Sequence, residues 1–194
     1  MKLTKLKTKY MGRNFIYYNE IDSTQKEIWR RIEKNEIENG TAVMAEFQTK
    51  GVGTHGRIWH TDESENIAFS FYVKTNCTQE KLQGLTIEIA QILVDIFKEK
   101  YNVKIDIKTP NDLIIKYKKT GGILTESKMQ GELVKFLVIG LGINTSKMSF
   151  TKDIEDIATS IKKSYGIEVD RDFVLSEFCN RFEEALERRL EKWK

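Results

Sequence analysis

The sequence predicts a single α/β domain whose central sheet is mainly antiparallel and flanked by helices. Between residues 104 and 144 four strand-like runs follow one another with joins of hairpin length, which leaves no room for the helical crossovers that parallel neighbours need. Apolar residues recur at three- and four-residue intervals in residues 78–101 and again from Arg171 onward, the spacing of helices with one core-facing stripe. The length, 194 residues, fits one domain spanning 1–194 and large enough to bury around 70% of its unfolded surface.

Taken in order, residues 1–13 read as a short basic arm, and residues 14–18 as a strand. Thr24 and Glu27 stand in capping-box spacing, with Asp22 and Ser23 as further oxygen acceptors, so a helix starts there and runs to about Asn35 with Ile28, Ile32 and Trp29 inward. Residues 41–47 and 67–74 are rich in β-branched and aromatic side chains and read as strands. Residues 78–101 read as a helix with Leu82, Leu85, Ile89, Leu93 and Ile96 inward. Strands are predicted at 104–108, 113–117, 123–129 and 132–144, the last two joined by a turn at Gln130-Gly131. A helix at 152–165 and a long one from Arg171 close the chain. The stripe Phe178, Phe182, Leu186, Leu190 and Trp193 in the latter is packing.

Composition narrows the function classes. Hydrophobic residues make up 40% and charged residues 31%, the profile of a soluble globular domain, and no segment approaches the length of a membrane span. A net charge of +3 suits an anionic small molecule or an acidic partner, and is too small and scattered to argue for specific DNA binding. Cys77 and Cys179 offer neither a disulfide framework nor metal spacing, which favours a reducing, cytoplasmic location. The N-terminus lacks the apolar run of a secretory signal. His55 and His60 have no companion carboxylate or cysteine set, so no metal site is assigned.

Three segments carry candidate chemistry. Residues 48–59 (Q-T-K-G-V-G-T-H-G-R-I-W) place Gly51, Gly53 and Gly56 with Lys50 and Arg57 between two strands. Glycines let main-chain N–H groups approach a ligand closely, and successive N–H groups form a concave anion site. An ordinary strand connection with turn glycines is the alternative reading. The loop is neither G-x-x-x-x-G-K-[ST] nor the opening of a helix, which excludes the P-loop and the dinucleotide fingerprint. In residues 107–126, Pro110 forces Thr109 into an extended conformation, Asn111 and Asp112 suit the turn that follows, and a hairpin tip carries Lys118-Lys119 before Gly121-Gly122. Lys108, Asp112 and Lys119 form its converging set. Residues 139–144 are an apolar strand broken by Gly140 and Gly142 and ending in Asn144, and glycine in a strand often marks close approach of a ligand or another backbone.

Together with Asp22-Ser23-Thr24-Gln25, these pieces resemble the catalytic domain of biotin protein ligases over roughly residues 15–190. The family patterns D-S-T-[NQ], A-E-x-Q-T-x-G-R-G-R-x-G-R-x-W, K-W-P-N-D-[LI], K-[LIV]-x-G-I-L-x-E and I-G-x-G-I-N match at Asp22, Ala45–Trp59, Lys108–Leu113, Lys119–Glu126 and Ile139–Asn144. The resemblance implies a sheet like the core of class II aminoacyl-tRNA synthetases. It implies a two-step reaction, in which biotin attacks the α-phosphate of Mg·ATP to give biotinyl-5′-AMP and pyrophosphate, and a lysine of a biotin carboxyl carrier domain then takes the acyl group. No prosthetic group is implied, and homodimers through a sheet edge occur in the family. The chain has too few residues before Asp22 for the family's DNA-binding domain and ends where its C-terminal barrel would start, so neither is expected.

By the same resemblance, Lys119 meets the carboxylate and α-phosphate, with Arg57, Asp112 and Lys108 as further catalytic residues. Ser23, Thr24, Gln25, Gln48, Val52, Gly53, Thr54 and Gly122 join Lys119 around biotin, and Arg57, Trp59, Asn111 and Asn144 hold the nucleotide. Ser23 and Thr24 also read as helix caps, Trp59 as core and Asn144 as a turn residue. The chain departs from the pattern at Val52 and Thr54, where the family usually has arginines, and at Thr109 in place of tryptophan. Each charge-assisted hydrogen bond so lost is worth roughly 1.5–3 kcal/mol, which Lys50 or His55 could partly replace. The alternatives are a lipoate or octanoate ligase or transferase on the related fold, and a biotin- or adenylate-binding protein without turnover.

Overall fold

The computed structural model describes residues 1–61 and 66–191, so Trp193 lies outside the described residues. Its strands are β1 (Phe15–Ile21), β2 (Ala42–Gln48), β3 (Asn66–Thr78), β4 (Asp106–Lys108), β5 (Asp112–Ile115), β6 (Lys118–Gln130) and β7 (Leu133–Asn144). They form one sheet in the order β1-β2-β3-β7-β6-β5-β4. Only the β1–β2 pair is parallel, joined through helix α1 (Thr24–Glu33), and the other neighbours are antiparallel. The mainly antiparallel sheet read from the hairpin-length joins is therefore the observed one.

The sheet's two faces differ because side chains alternate along a strand. On β3, Ile67, Phe69, Phe71 and Val73 join Ile139, Leu141 and Ile143 of β7 in the main core, covered by α2 (Leu85–Tyr101) and α4 (Arg171–Glu191). Phe71 packs edge-on to Phe182 at 5.3 Å and tilted to Phe178 at 5.6 Å between ring centroids. The opposite face carries a small cluster of Ile28, Val43, Tyr72 and Val138 under α1. Ser70, Gly140 and Gly142 alternate with the core residues of β3 and β7, and they line the cleft described below.

Several local expectations are corrected. Ser23, not Thr24, is the N-cap of α1 and accepts from the Lys26 N–H at 3.4 Å, while the Glu27 carboxylate accepts from Tyr18, Arg30 and Arg31. The helix predicted from residue 78 starts at Leu85, because Gly84 takes a left-handed φ of 76° and residues Gln79–Leu82 form a separate 3-10 turn. The helix predicted at 152–165 shrinks to α3 (Ile161–Tyr165), capped by Ser160 and preceded by turns. The basic arm lies against α4. Its Tyr10 and Met11 N–H groups donate to the Glu183 carboxylate at 3.0 and 2.8 Å, and Lys7 N–H donates to Asn180 at 2.7 Å. Charge at the sequence level could not show that the arm's backbone, rather than its lysines, makes those contacts.

Candidate active site

Two clefts open side by side on the α1 face. The first, about 460 Å³ counted to its mouth, is lined by α1 (Ser23, Thr24, Gln25), β2 (Gln48), the glycine loop (Val52, Gly53, Thr54) and the β3, β6 and β7 strands. The second, about 770 Å³ on the same measure, is walled by Arg57, Ile58 and His60 on one side and by Asn144, Lys147, Phe150, Ile154, Ile157 and Ala158 on the other. Gly53, Thr54, Trp59 and Lys119 line both. The clefts meet at those four residues.

The first cleft is polar at its α1 end. Gln48 Oε1 accepts from the Thr24 N–H at 2.8 Å and the Thr24 hydroxyl at 3.1 Å, and the same hydroxyl meets Ser70 Oγ at 2.8 Å. All four residues from Ser23 to Gln25 and Gln48 are at least nine-tenths buried. Of the Ser23-Thr24 pair, Ser23 alone caps the helix, and both residues line the cleft. Asp22, just before the cap, holds Arg30 through two hydrogen bonds of 3.0 and 2.7 Å, and that guanidinium keeps its carboxyl near 2, well below the usual range.

The glycine loop closes on itself as a miniature hairpin. Val52 bridges Ile58, Gly53 N–H donates to Arg57 O at 2.7 Å, and Trp59 N–H to Gly51 O at 2.9 Å. Those bonds use N–H groups that the sequence reading had left for an anion. His55 and Gly56 turn the tip with φ of 57° and 72°. Arg57 is exposed on the rim of the second cleft, and its Nε donates to Thr54 O at 3.4 Å. Lys50 and His55 are exposed and line neither cleft. They do not stand in for the missing arginines.

Trp59 is the partition between the clefts. Its ring lies against Gly142, where any side chain would collide with the indole, and its Nε1 is buried with no partner. This gives the glycine-broken strand its reason: Gly142 admits Trp59, and Gly140 admits the Gln25 carboxamide. Trp59 is half-buried and belongs to neither hydrophobic cluster, so the core reading is not met, and its place is on the walls of both clefts.

Lys119 sits in strand β6, not at a hairpin tip, because the turn falls at Lys116 and Tyr117, whose φ values are 47° and 71°. Its N–H donates to Ile157 O at 2.7 Å and its carbonyl accepts from Thr159 N–H at 2.9 Å, so the backbone is clamped from one side by residues 157–159. Nζ pairs with Asp112 Oδ1 at 2.6 Å and stands 5.9 Å from the centre of the Trp59 ring. Gly122, opposite Asp112 in the β5–β6 register, leaves the lysine its space, since a Cβ there would lie 3.3 Å from Nζ. The result is a cation held at the junction of both clefts.

The remaining candidates divide. Asn111 lines the first cleft, and its Nδ2 donates to Ile123 O at 3.1 Å. Asn144 lines the second, with Nδ2 donating to Thr159 O at 3.0 Å. Lys108 is exposed on the edge strand β4 and lines neither cleft. It pairs with Asp112 across the hairpin, so convergence in sequence places the backbones together while Lys108 stays off the cleft walls. Sequence reading missed Ser70, Lys147 and Phe150. Ser70 was legible as a lone hydroxyl between Phe69 and Phe71, whereas the far wall of the second cleft comes from turns that carry no motif.

Residues 17–144, about two thirds of the chain, match the sequence model of the biotin/lipoate A/B protein ligase family. The chain belongs to that family. Over 180 residues it is 36% identical to the bifunctional ligase/repressor BirA of Bacillus subtilis, covering 92% of this chain and 55% of that protein. It thus spans about half the length of that relative. Among solved structures it resembles the biotin protein ligase of Aquifex aeolicus in complex with biotin and ATP, with a TM-score of 0.77 and 30% identity over 93% of this chain and 73% of that one. The Leishmania major biotin protein ligase in complex with biotinyl-5-AMP gives a TM-score of 0.68 at 26% identity, covering 93% and 81%. The mixed α/β sheet expected from sequence is the fold these relatives share. Among the described residues no helix is long and apolar enough to cross a membrane.

Proposed function

We propose that this chain activates biotin with Mg·ATP as biotinyl-5′-AMP and transfers the acyl group to a lysine of a biotin carboxyl carrier domain. The observation that carries the reading is the meeting of two clefts at Lys119. One cleft has a buried polar end of hydroxyls and amides, suited to a ureido head with both donors and acceptors. The other is larger and more apolar, with Trp59 and Phe150 for a base and Arg57 and Lys147 for phosphates. An acid in the first and a nucleotide in the second would bring carboxylate and α-phosphate together beside Nζ. The likeness to the Aquifex aeolicus biotin protein ligase in complex with biotin and ATP supports the same pairing.

In this proposal Thr24, Gln25 and Gln48 hold the ureido group, with the Ser23 hydroxyl at its rim, and Val52 and Gly53 form the cover. The carboxylate oxygen attacks phosphorus and pyrophosphate leaves. Lys119 stabilises the charge that spreads over the phosphoryl oxygens, and Asp112 holds Lys119 in place. Thr54 and Gly53 then face the mixed anhydride, and Trp59 separates acyl and nucleotide parts. Arg57, Asn111 and Asn144 act on the nucleotide side. Lys108, exposed and off both walls, is proposed to meet the incoming carrier domain. Both cysteines are buried free thiols, in keeping with action in a reducing cytoplasm. Biotin-dependent exchange of pyrophosphate into ATP tests the reading.

Specific DNA binding by these 194 residues alone is not expected, since the net charge is only +3. In a gel-shift titration with operator-type DNA, a sequence-specific complex that survives raised salt would overturn that expectation.

A further inference from the structure

Gln25 is 4% exposed and its carboxamide is held from one side only. Nε2 donates to Glu126 Oε2 at 2.8 Å and to the Val138 carbonyl at 3.2 Å. A carbonyl can only accept, so the nitrogen must face it and the amide cannot be flipped. The same Glu126 oxygen accepts from Trp29 Nε1 at 2.7 Å, a group that can only donate, and the Trp29 ring rests 5.7 Å from that of Phe136. Glu126 is thereby fixed as a double acceptor. Gln25 Oε1 is left at the wall of the first cleft, buried without a partner. A Cβ added to Gly140 would fall 2.7 Å from this oxygen and 3.4 Å from Ser70 Oγ. Buried acceptors in folded proteins nearly always have a donor, and an orphan at a cleft wall marks where a ligand supplies one.

We propose that Glu126 is a positioning residue, which orients Gln25 so that the first cleft presents an acceptor and selects a ligand carrying an N–H at that point. This rests on the biotin reading for the ligand's identity, since a ureido ring has such donors and the dithiolane of lipoate has none. The orientation of Gln25 itself does not rest on that reading. Glu126 itself lines neither cleft and acts through Gln25, so its effect must vanish when Gln25 has no amide to orient.

The test combines calorimetric affinity for biotin, affinity for biotin methylated on a ureido nitrogen, and hydrogen exchange of the Gln25 side-chain amide in the ligand-free protein. Glu126→Met should weaken biotin about tenfold, roughly the worth of one buried hydrogen bond, and Glu126→Gln, whose amide oxygen can take both donors, should restore most of it. In a Gln25→Met background, Glu126→Met should change affinity less than twofold. Wild type should discriminate against a methylated nitrogen, and Gln25→Met should lose that discrimination. Additive effects of the two methionine substitutions, or equal binding of biotin and both methylated forms by wild type, would overturn the proposal. Should Glu126→Met fail to fold, the wild-type amide decides: slow exchange of the Gln25 Nε2 protons supports the orientation, and fast exchange contradicts it. Slow exchange with no biotin binding would sink the biotin reading while leaving the orientation by Glu126 supported.

Discussion

Lys119→Ala is expected to cut biotin-dependent pyrophosphate release by roughly two to three orders of magnitude, the usual cost of removing a preorganised group that stabilises developing charge. The loss should fall mainly on kcat, because the amine lies at the seam where both clefts share their walls, which is where the proposed reaction develops its charge. The fold should survive. The Lys119 side chain is about one third exposed and that of Asp112 about one quarter, so water can reach the carboxylate the mutation leaves behind. The clamp on the Lys119 backbone from residues 157–159 does not depend on the side chain. Near-normal turnover in a folded Lys119→Ala variant would show that the charge is stabilised by another group.

Wild-type enzyme is expected to hold biotinyl-AMP loosely and to label exposed lysines on bystander proteins. Thr54 lines both clefts at their junction, where the family pattern has an arginine, and it brings one hydroxyl and no charge. A lost charged contact of roughly 1.5–3 kcal/mol corresponds to about ten- to hundredfold weaker retention. The neighbouring cations do not offset this, since Lys50 and His55 are exposed and line neither cleft. Thr54→Arg should therefore reduce labelling of a bystander protein such as serum albumin and slow adenylate release by the same factor. If wild type retains the adenylate as long as Thr54→Arg does, a different group, with Lys147 on the far wall the first to examine, carries the charge.

Sequence alone made the sheet legible because its strongest signals are local. Hairpin joins between β4 and β7 and the alternation along β3 and β7 needed no tertiary information. The candidate site's walls were legible where residues come in motifs, as with Ser23 to Gln25, Gln48, Val52 to Thr54, Arg57, Trp59, Lys119 and Asn144. What escaped reading was set by geometry between distant segments. The Thr24–Glu27 spacing fits a capping box, but the Thr24 hydroxyl bonds Gln48 and Ser70, and Ser23 makes the cap. Lys118-Lys119 looked like a solvated tip because the left-handed pair Lys116 and Tyr117, which makes the real turn, contains no glycine or asparagine to announce it. A helix is predicted at 152–165, yet Ile154 and Ile157 wall the second cleft and residues 157–159 clamp Lys119. Gly140 and Gly142 were flagged for a close approach, and only the structure could say that Gln25 and Trp59 make it.

Exchange of labelled pyrophosphate into ATP by the purified chain tests the central claim most directly, because it reads acyl-adenylate formation without a carrier protein. The account predicts exchange that requires biotin, falls by roughly two to three orders of magnitude in Lys119→Ala, and does not appear with lipoate or octanoate. Exchange driven by lipoate instead of biotin, or biotin binding with no exchange at all, would contradict it.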